Sequence, residues 1–236
     1  MASSPVVGVI TFPGSNGDHD ALDAMRHDVG VDARYVDYRE TSLDGIDAVI
    51  LPGGFSYGDH LRCGAIARFA PVMEALADFA SAGRPVLGIC NGFQILTEAH
   101  LLPGALLRNA SLRFHCFWTH VRIESDRTAW TTGIAEGTVL RLPVAHGQGA
   151  YYADADTLAN LEAGGQIVAR YSNPEGTVSD ETNWNGSVGS IAAVANERGN
   201  VVGLMPHPER AANALVGGAD GLRLLRSVVA GMLASV

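Results

Sequence analysis

The 236-residue sequence contains no lysine: its 16 basic residues are all arginine, set against 25 Asp and Glu. That absence excludes a Walker A phosphate loop, a Schiff-base lysine and a lysine general base. The net charge of -9 argues against nonspecific nucleic-acid binding. Cysteine is scarce. Three residues, Cys63, Cys90 and Cys116, are odd in number and lack C-x-x-C spacing, so neither a disulfide framework nor a metal-ligand set is expected. They suit a reducing compartment. No apolar run approaches the roughly 20 residues that a membrane span needs. The opening "MASSPVVGVITF" lacks the basic region and cleavage pattern of a signal peptide. The expectation is a soluble, cytoplasmic chain with no membrane contact. With no low-complexity linker and no internal repeat, residues 1–236 read as a single domain.

The first hundred residues alternate strand and helix patterns. Val6 to Phe12 reads as a strand, and Asp18 as the cap of a helix with an Ala21, Leu22, Met25, Val29 stripe ended by Gly30. Ala33 to Tyr38 and Ala48 to Leu51 read as further strands. Pro71 opens a helix carrying Val72, Leu76 and Phe79, stopped by Gly83. This alternation predicts an α/β fold, a flavodoxin-like doubly wound and mostly parallel sheet. The second half differs. "FHCFWTHVRIE", "TVLRLPVAHG", "QIVARYS", "SIAAVANERG" and "VVGLMPH" read as successive strands, expected to extend the sheet antiparallel. A last helix from Asp220 places Leu222, Leu225, Val229 and Met232 on one face.

Within "RPVLGICNGFQILTEA", residues 84–99, a short apolar strand stops at Cys90 and restarts at helical spacing. Glycines 88 and 92 flank the cysteine, as a crowded strand–turn–helix apex requires. This is the logic of a nucleophile elbow, which pushes the apex side chain out at the end of a sheet. A buried, inert cysteine is the commoner reading of a lone thiol, so a partner base must decide.

Among eight histidines, His207 stands apart. It follows an apolar strand in "GLMPHPER", and in extended chain Glu209 would project beside it. A carboxylate there can accept the Nδ1–H and leave Nε2 to a thiol. Strand ends of an open α/β sheet are where such sites gather. "LPGGFSYGD" offers the backbone N–H groups of Gly53 and Gly54 as oxyanion donors, with that of Asn91 beside the nucleophile. A plain turn is the simpler reading of the two glycines.

With "GICNGFQ", "MPHPE" and "LPGG" together, the chain resembles the class I (triad) glutamine amidotransferases. "GGFSYGDHLRCGAIAR", "PVAHGQG" and "NGSVGSIAAVANERGNVVGLMPHPERA" extend the likeness over nearly the whole chain, toward the glutaminase subunits of purine biosynthesis. The resemblance implies the class I glutamine amidotransferase fold and attack by Cys90 on the side-chain amide of L-glutamine, through a thioester that releases ammonia. It makes His207 the base and then the acid, with Glu209 orienting it. Gln94 and His146 would help to hold glutamine. It also implies partners: a large synthetase that uses ATP and magnesium to convert formylglycinamide ribonucleotide to the amidine, and a small bridging protein. No cofactor is expected on this chain. The likeness departs at "PGSNGD", where the family pattern has cysteine in place of Gly17, and at "AHGQG", where it often has glutamate.

Three other readings stay open on the residues alone. They are a triad amidotransferase serving another synthetase, a cysteine-elbow hydrolase or chaperone of similar fold, and a noncatalytic module that keeps the fold. "RFHCFWTH", residues 113–120, suits either a docking face or a buried strand, and Cys63 reads as a packed core thiol.

Overall fold

The computed structural model describes residues 4–234; the remaining ends of the proposed single domain lie outside the described residues. In chain order the strands are β1 (Val6–Thr11), β2 (Asp32–Asp37), β3 (Ala48–Leu51), β4 (Val86–Ile89), β5 (Ala105–Arg108), β6 (His115–Ile123), β7 (Val139–His146), β8 (Gln148–Tyr152), β9 (Ile167–Ser172), β10 (Ile191–Ala195) and β11 (Val201–Leu204). The helices are α1 (Asp18–Asp23), α2 (Val72–Ser81), α3 (Asn91–Glu98), α4 (Ala155–Ala163) and α5 (Gly221–Ala234). Nine strands form one sheet in the order β2-β1-β3-β4-β11-β10-β9-β6-β7, and β5 pairs with β8 in a separate ribbon.

The expected architecture holds, with one consequential difference. β2, β1, β3, β4 and β11 run parallel, and only β10, β9, β6 and β7 form the antiparallel extension. The "VVGL" strand is therefore the fifth parallel strand, in register Gly203↔Gly88 and Leu204↔Ile89. Strands β3, β4 and β11 are buried at every position, as strands covered on both faces must be. Helix α3 lies directly on the sheet. A Cβ at Gly92 would meet the Leu51 carbonyl carbon at 2.7 Å, so the small neighbour beside Cys90 permits the close approach.

Smaller corrections follow from local chemistry. Asp18 is not the cap of α1; Gly17 occupies that position without a side-chain bond, and Asp18 and Asp20 lie in the first turn, where the helix dipole favours acids. The chain then widens into a π-helical turn over Ala24–Val29, closed by Gly30 at φ 84°. In α5 the expected Leu225 is fully buried and Leu222, Val229 and Met232 are half-buried, while Leu224 and Val228, which the expectation left out, are buried beside Leu225. Within "RFHCFWTH", Phe114, Cys116 and Phe117 are exposed and Thr119 is buried, and β6 becomes a buried strand only beyond it, at Val121 and Ile123. The ribbon and α4 have no counterpart in the sequence expectations.

Candidate active site

The loops after β1, β3, β4 and β11 meet at the carboxyl ends of the parallel strands, where ligands of open α/β sheets bind. Cys90 sits between β4 and α3 with φ 50° and ψ -102°, a strained conformation for a residue with a side chain. Its backbone N–H donates to the Leu204 carbonyl at 2.8 Å, which pins the elbow to the end of β11. Three residues beyond Leu204, His207 is held by its own N–H to the Pro143 carbonyl at 2.8 Å. The parallel pairing of β4 with β11 thus brings together two residues 117 positions apart in the chain.

Nδ1–H of His207 donates to Oε1 of Glu209 at 2.6 Å. The route differs from the expected extended dipeptide: Glu209 lies on a 3-10 turn over Pro208–Ala211 that carries its carboxylate back to the ring. All three side chains are enclosed, with Cys90 5%, His207 2% and Glu209 4% exposed. Burial alone would lower the imidazole pKa, but the negative charge of Glu209, joined by that of Cys90, outweighs it and lifts His207 to about 10. Nε2, the nitrogen left free by the bond to Glu209, is on the side of Cys90, whose thiol lies 3.8 Å from the Ala145 carbonyl. The arrangement can store a proton on His207 while a thiolate forms beside it.

Gly53 packs against this pair. A Cβ there would stand 2.7 Å from Cε1 of His207 and 3.7 Å from Cβ of Cys90. The Gly53 carbonyl accepts from the N–H groups of Asn16 and Gly17 at 3.2 and 3.0 Å, so in a planar trans peptide the N–H of Gly54 points away from that loop. Gly54 adopts φ 150°, and a side chain would collide with Gly14 and Ser15. Gly17, remote in sequence from the triad motifs, is close in space: a Cβ at that position would lie 3.5 Å from Oε1 of Glu209.

Asn91 begins α3, and its buried side chain accepts from the Ser56 N–H at 3.1 Å and donates to Oε1 of Gln94 at 2.9 Å. Gln94 donates in turn to the Gln148 carbonyl at 2.6 Å. Its amide therefore ties α3 to β8, with one N–H and one oxygen lone pair left for any further contact. His146 ends β7 with Nδ1 3.1 Å from Oδ1 of Asn109, whose own amide nitrogen is already donating to carbonyls. Nδ1 is therefore the protonated nitrogen, and Nε2 is a buried acceptor without a partner. Burial, reinforced by the positive charges of His207 and His115, lowers its pKa to about 3.

Sequence reasoning missed an aromatic wall here. Trp184 stacks on His146 at 5.3 Å and meets Tyr171 and Phe117 edge-on at 5.2 and 4.8 Å. Among the described residues the indole N–H is buried without a hydrogen-bond partner, and the Tyr171 hydroxyl is buried near Asn185. These residues lie on separate strands and a loop, with no local motif to join them. Cys63 is buried beside Asp59, and burial followed by that carboxyl pushes its thiol pKa far up, as suits a packed thiol. Among the described residues, no three His, Cys, Asp or Glu side chains gather as a metal site.

Residues 4–217 match the family model of the CobB/CobQ-like glutamine amidotransferase domain. The chain is 64% identical over 221 residues to phosphoribosylformylglycinamidine synthase subunit PurQ of Thermomicrobium roseum, covering 94% of each chain. It is 57% identical over 222 residues to the subunit of the same name from Moorella thermoacetica, again covering 94% of each. Among solved structures, a chain of PurLQS from Thermotoga maritima superposes with a TM-score of 0.86 at 42% identity, covering 98% of this chain and 100% of that one.

Proposed function

The chain belongs to the CobB/CobQ-like glutamine amidotransferase family, and on that premise we propose that it is the glutaminase subunit of phosphoribosylformylglycinamidine synthase. It releases ammonia from L-glutamine for purine biosynthesis. The observation that carries the mechanism is the buried His207–Glu209 pair beside a thiol held at a strained strand-to-helix elbow. The Cys90 thiolate attacks the carboxamide carbon, and the oxyanion is met by the backbone N–H groups of Gly53, Gly54 and Asn91. Imidazolium at His207 gives its proton to the leaving nitrogen, ammonia departs and a thioester remains. Neutral His207 then takes a proton from water, whose oxygen attacks the thioester and expels the thiolate as glutamate forms. Glu209 orients the ring and stabilises its positive form. Gln94 and His146 border the glutamine pocket.

The high identity to PurQ subunits and the fold shared with a PurLQS chain support assembly with a synthetase. ATP and magnesium are assigned to that large subunit, and a small bridging subunit completes the complex. Among the described residues no helix is long and apolar enough to cross a membrane. The test is a complex carrying Cys90→Ala. Amidine formation should vanish with glutamine and persist with ammonium salts, rising with pH as free NH₃ grows. Activity with glutamine would remove Cys90 as nucleophile. Failure with ammonia, where the synthetase alone succeeds, would show that the subunit has a structural effect on the partner's step beyond delivering ammonia.

A further inference from the structure

The 3-10 turn that carries Glu209 is fastened to α1, and the chain just beyond it to the π-helical turn that follows α1. Nε of Arg210 lies 2.8 Å from Oδ2 of Asp20 on α1. Further along, Nδ2 of Asn213 donates to both carboxylate oxygens of Asp28 at 2.9 and 3.1 Å. The same Arg210 Nε stands 3.8 Å from Oε1 of Glu209, the oxygen that receives the His207 proton at 2.6 Å. Asp20, Arg210, Glu209 and His207 are thus a continuous line of alternating charge that ends at Cys90. Gly17 leaves no side chain between the start of α1 and the carboxylate.

We propose that Arg210, held by Asp20, is a positioning residue for the Cys90–His207–Glu209 site, fixing the Glu209 carboxylate and supplying the cation that balances it. The inference rests on the catalytic reading above and deepens it. Other titratable groups face the triad from the surrounding elements. They are Cys63 from the segment after β3, His146 from β7 and Tyr171 from β9. Burial keeps each neutral near pH 7: the Cys63 thiol and Tyr171 phenol are pushed up, and His146 is lowered to about 3. Arg210 is the cation that the structure places against Glu209, with Asp20 behind it and Asp59 on the far side of Cys63.

A unit charge on the order of 10 Å away, at an effective dielectric of ~20, is worth about one pH unit on a titration. With the Arg210 side chain 31% exposed, screening reduces this to roughly half a unit to one. The experiment follows iodoacetamide alkylation of Cys90 in the full chain against pH, with peptide mapping to separate it from exposed Cys116. Arg210→Gln should move the acid limb of the profile upward by that amount and lower kcat in the complex about three- to tenfold, with little change in KM. Arg210→Lys should restore most of the limb, because the charge returns. Asp20→Asn should shift it in the same direction by less, since it frees Arg210 while leaving the guanidinium in place. It also serves if the Gln variant fails to fold. A downward shift, which the lost Asp20 charge alone would give, overturns the holding role. Glu209→Gln is the control on the underlying reading. If that variant leaves the profile unmoved, the triad assignment fails. If it moves the profile and Arg210→Gln does not, the present inference alone fails.

Discussion

Replacing Glu209 by Gln changes one charge and little else, and the structure gives a scale for the consequence. The His207 imidazole is buried, and its pKa stands at about 10 because the Glu209 carboxylate, then Cys90, overcome the desolvation that would lower it. Breaking a buried ion pair by removing one partner costs about 3–5 kcal/mol, which sets the scale of the change. A Gln oxygen can still accept the Nδ1–H, which keeps the ring aligned; what disappears is the charge. Glutaminase turnover in the complex should fall about 10²- to 10³-fold with glutamine affinity little changed. Stability should report the same interaction. Because the folded pKa lies above the unfolded one, the stabilisation is complete below pH 6.5 and is lost as pH rises through about 10. Urea unfolding of the wild type should therefore show a decline across that window which Glu209→Gln lacks. Turnover within fivefold of wild type, together with an unchanged stability slope, would refute the reasoning.

Two further outcomes are expected. Gly53→Ala places a methyl 2.7 Å from Cε1 of His207, and displacing the ring by even an ångström should lower turnover by about 100-fold while far-UV circular dichroism stays that of the wild type; near-normal glutamate release would show that the ring does not act where the structure holds it. With Cys90 only 5% exposed, the thiol is poorly open to glutamine, so the chain alone should hydrolyse glutamine at least about tenfold more slowly than the reconstituted complex. Equal rates in the two preparations would show that the synthetase has no part in opening the site.

Much of the fold was legible because the first half obeys local rules. β3, α2 and the elbow at Cys90 lie where apolar periodicity, proline and glycine place them. β11 was legible as a strand but not as a parallel one. Direction and sheet position depend on pairing with β4, more than a hundred residues earlier, and no spacing within "VVGL" encodes it. The ribbon of β5 and β8 was illegible for a related reason, since its pairing joins Ala105 to Tyr152 across the whole of β6 and β7. In α5, the stripe chosen from hydrophobicity alone took in Leu225 but left out the buried Leu224 and Val228, because apolar residues occupy several adjacent faces of that helix.

The site divides along the same line. Cys90, His207 and Glu209 announce themselves through short motifs, and their shared position at strand ends follows from the fold. The groups that shape their chemistry do not. Asp20 reaches Arg210 across 190 positions, Asn109 fixes the His146 tautomer from another loop, and Trp184 stacks on His146 from a segment without regular structure. Gly17 shows why distance along the chain misleads. Its place in the loop after β1 looked unrelated to the triad, yet β1 and β3 are neighbours and their carboxyl-end loops must share space. The Gly53 carbonyl, bonded to the Gly17 N–H at 3.0 Å, presents the opposite side of Gly53 to His207. A Cβ at position 17 would stand close to the Gly53 nitrogen, at 3.2 Å, and in ordinary contact with Oε1 of Glu209, at 3.5 Å. The first loop therefore packs against the backbone that backs the His207 ring, a contact that a search for reactive side chains has no means of finding.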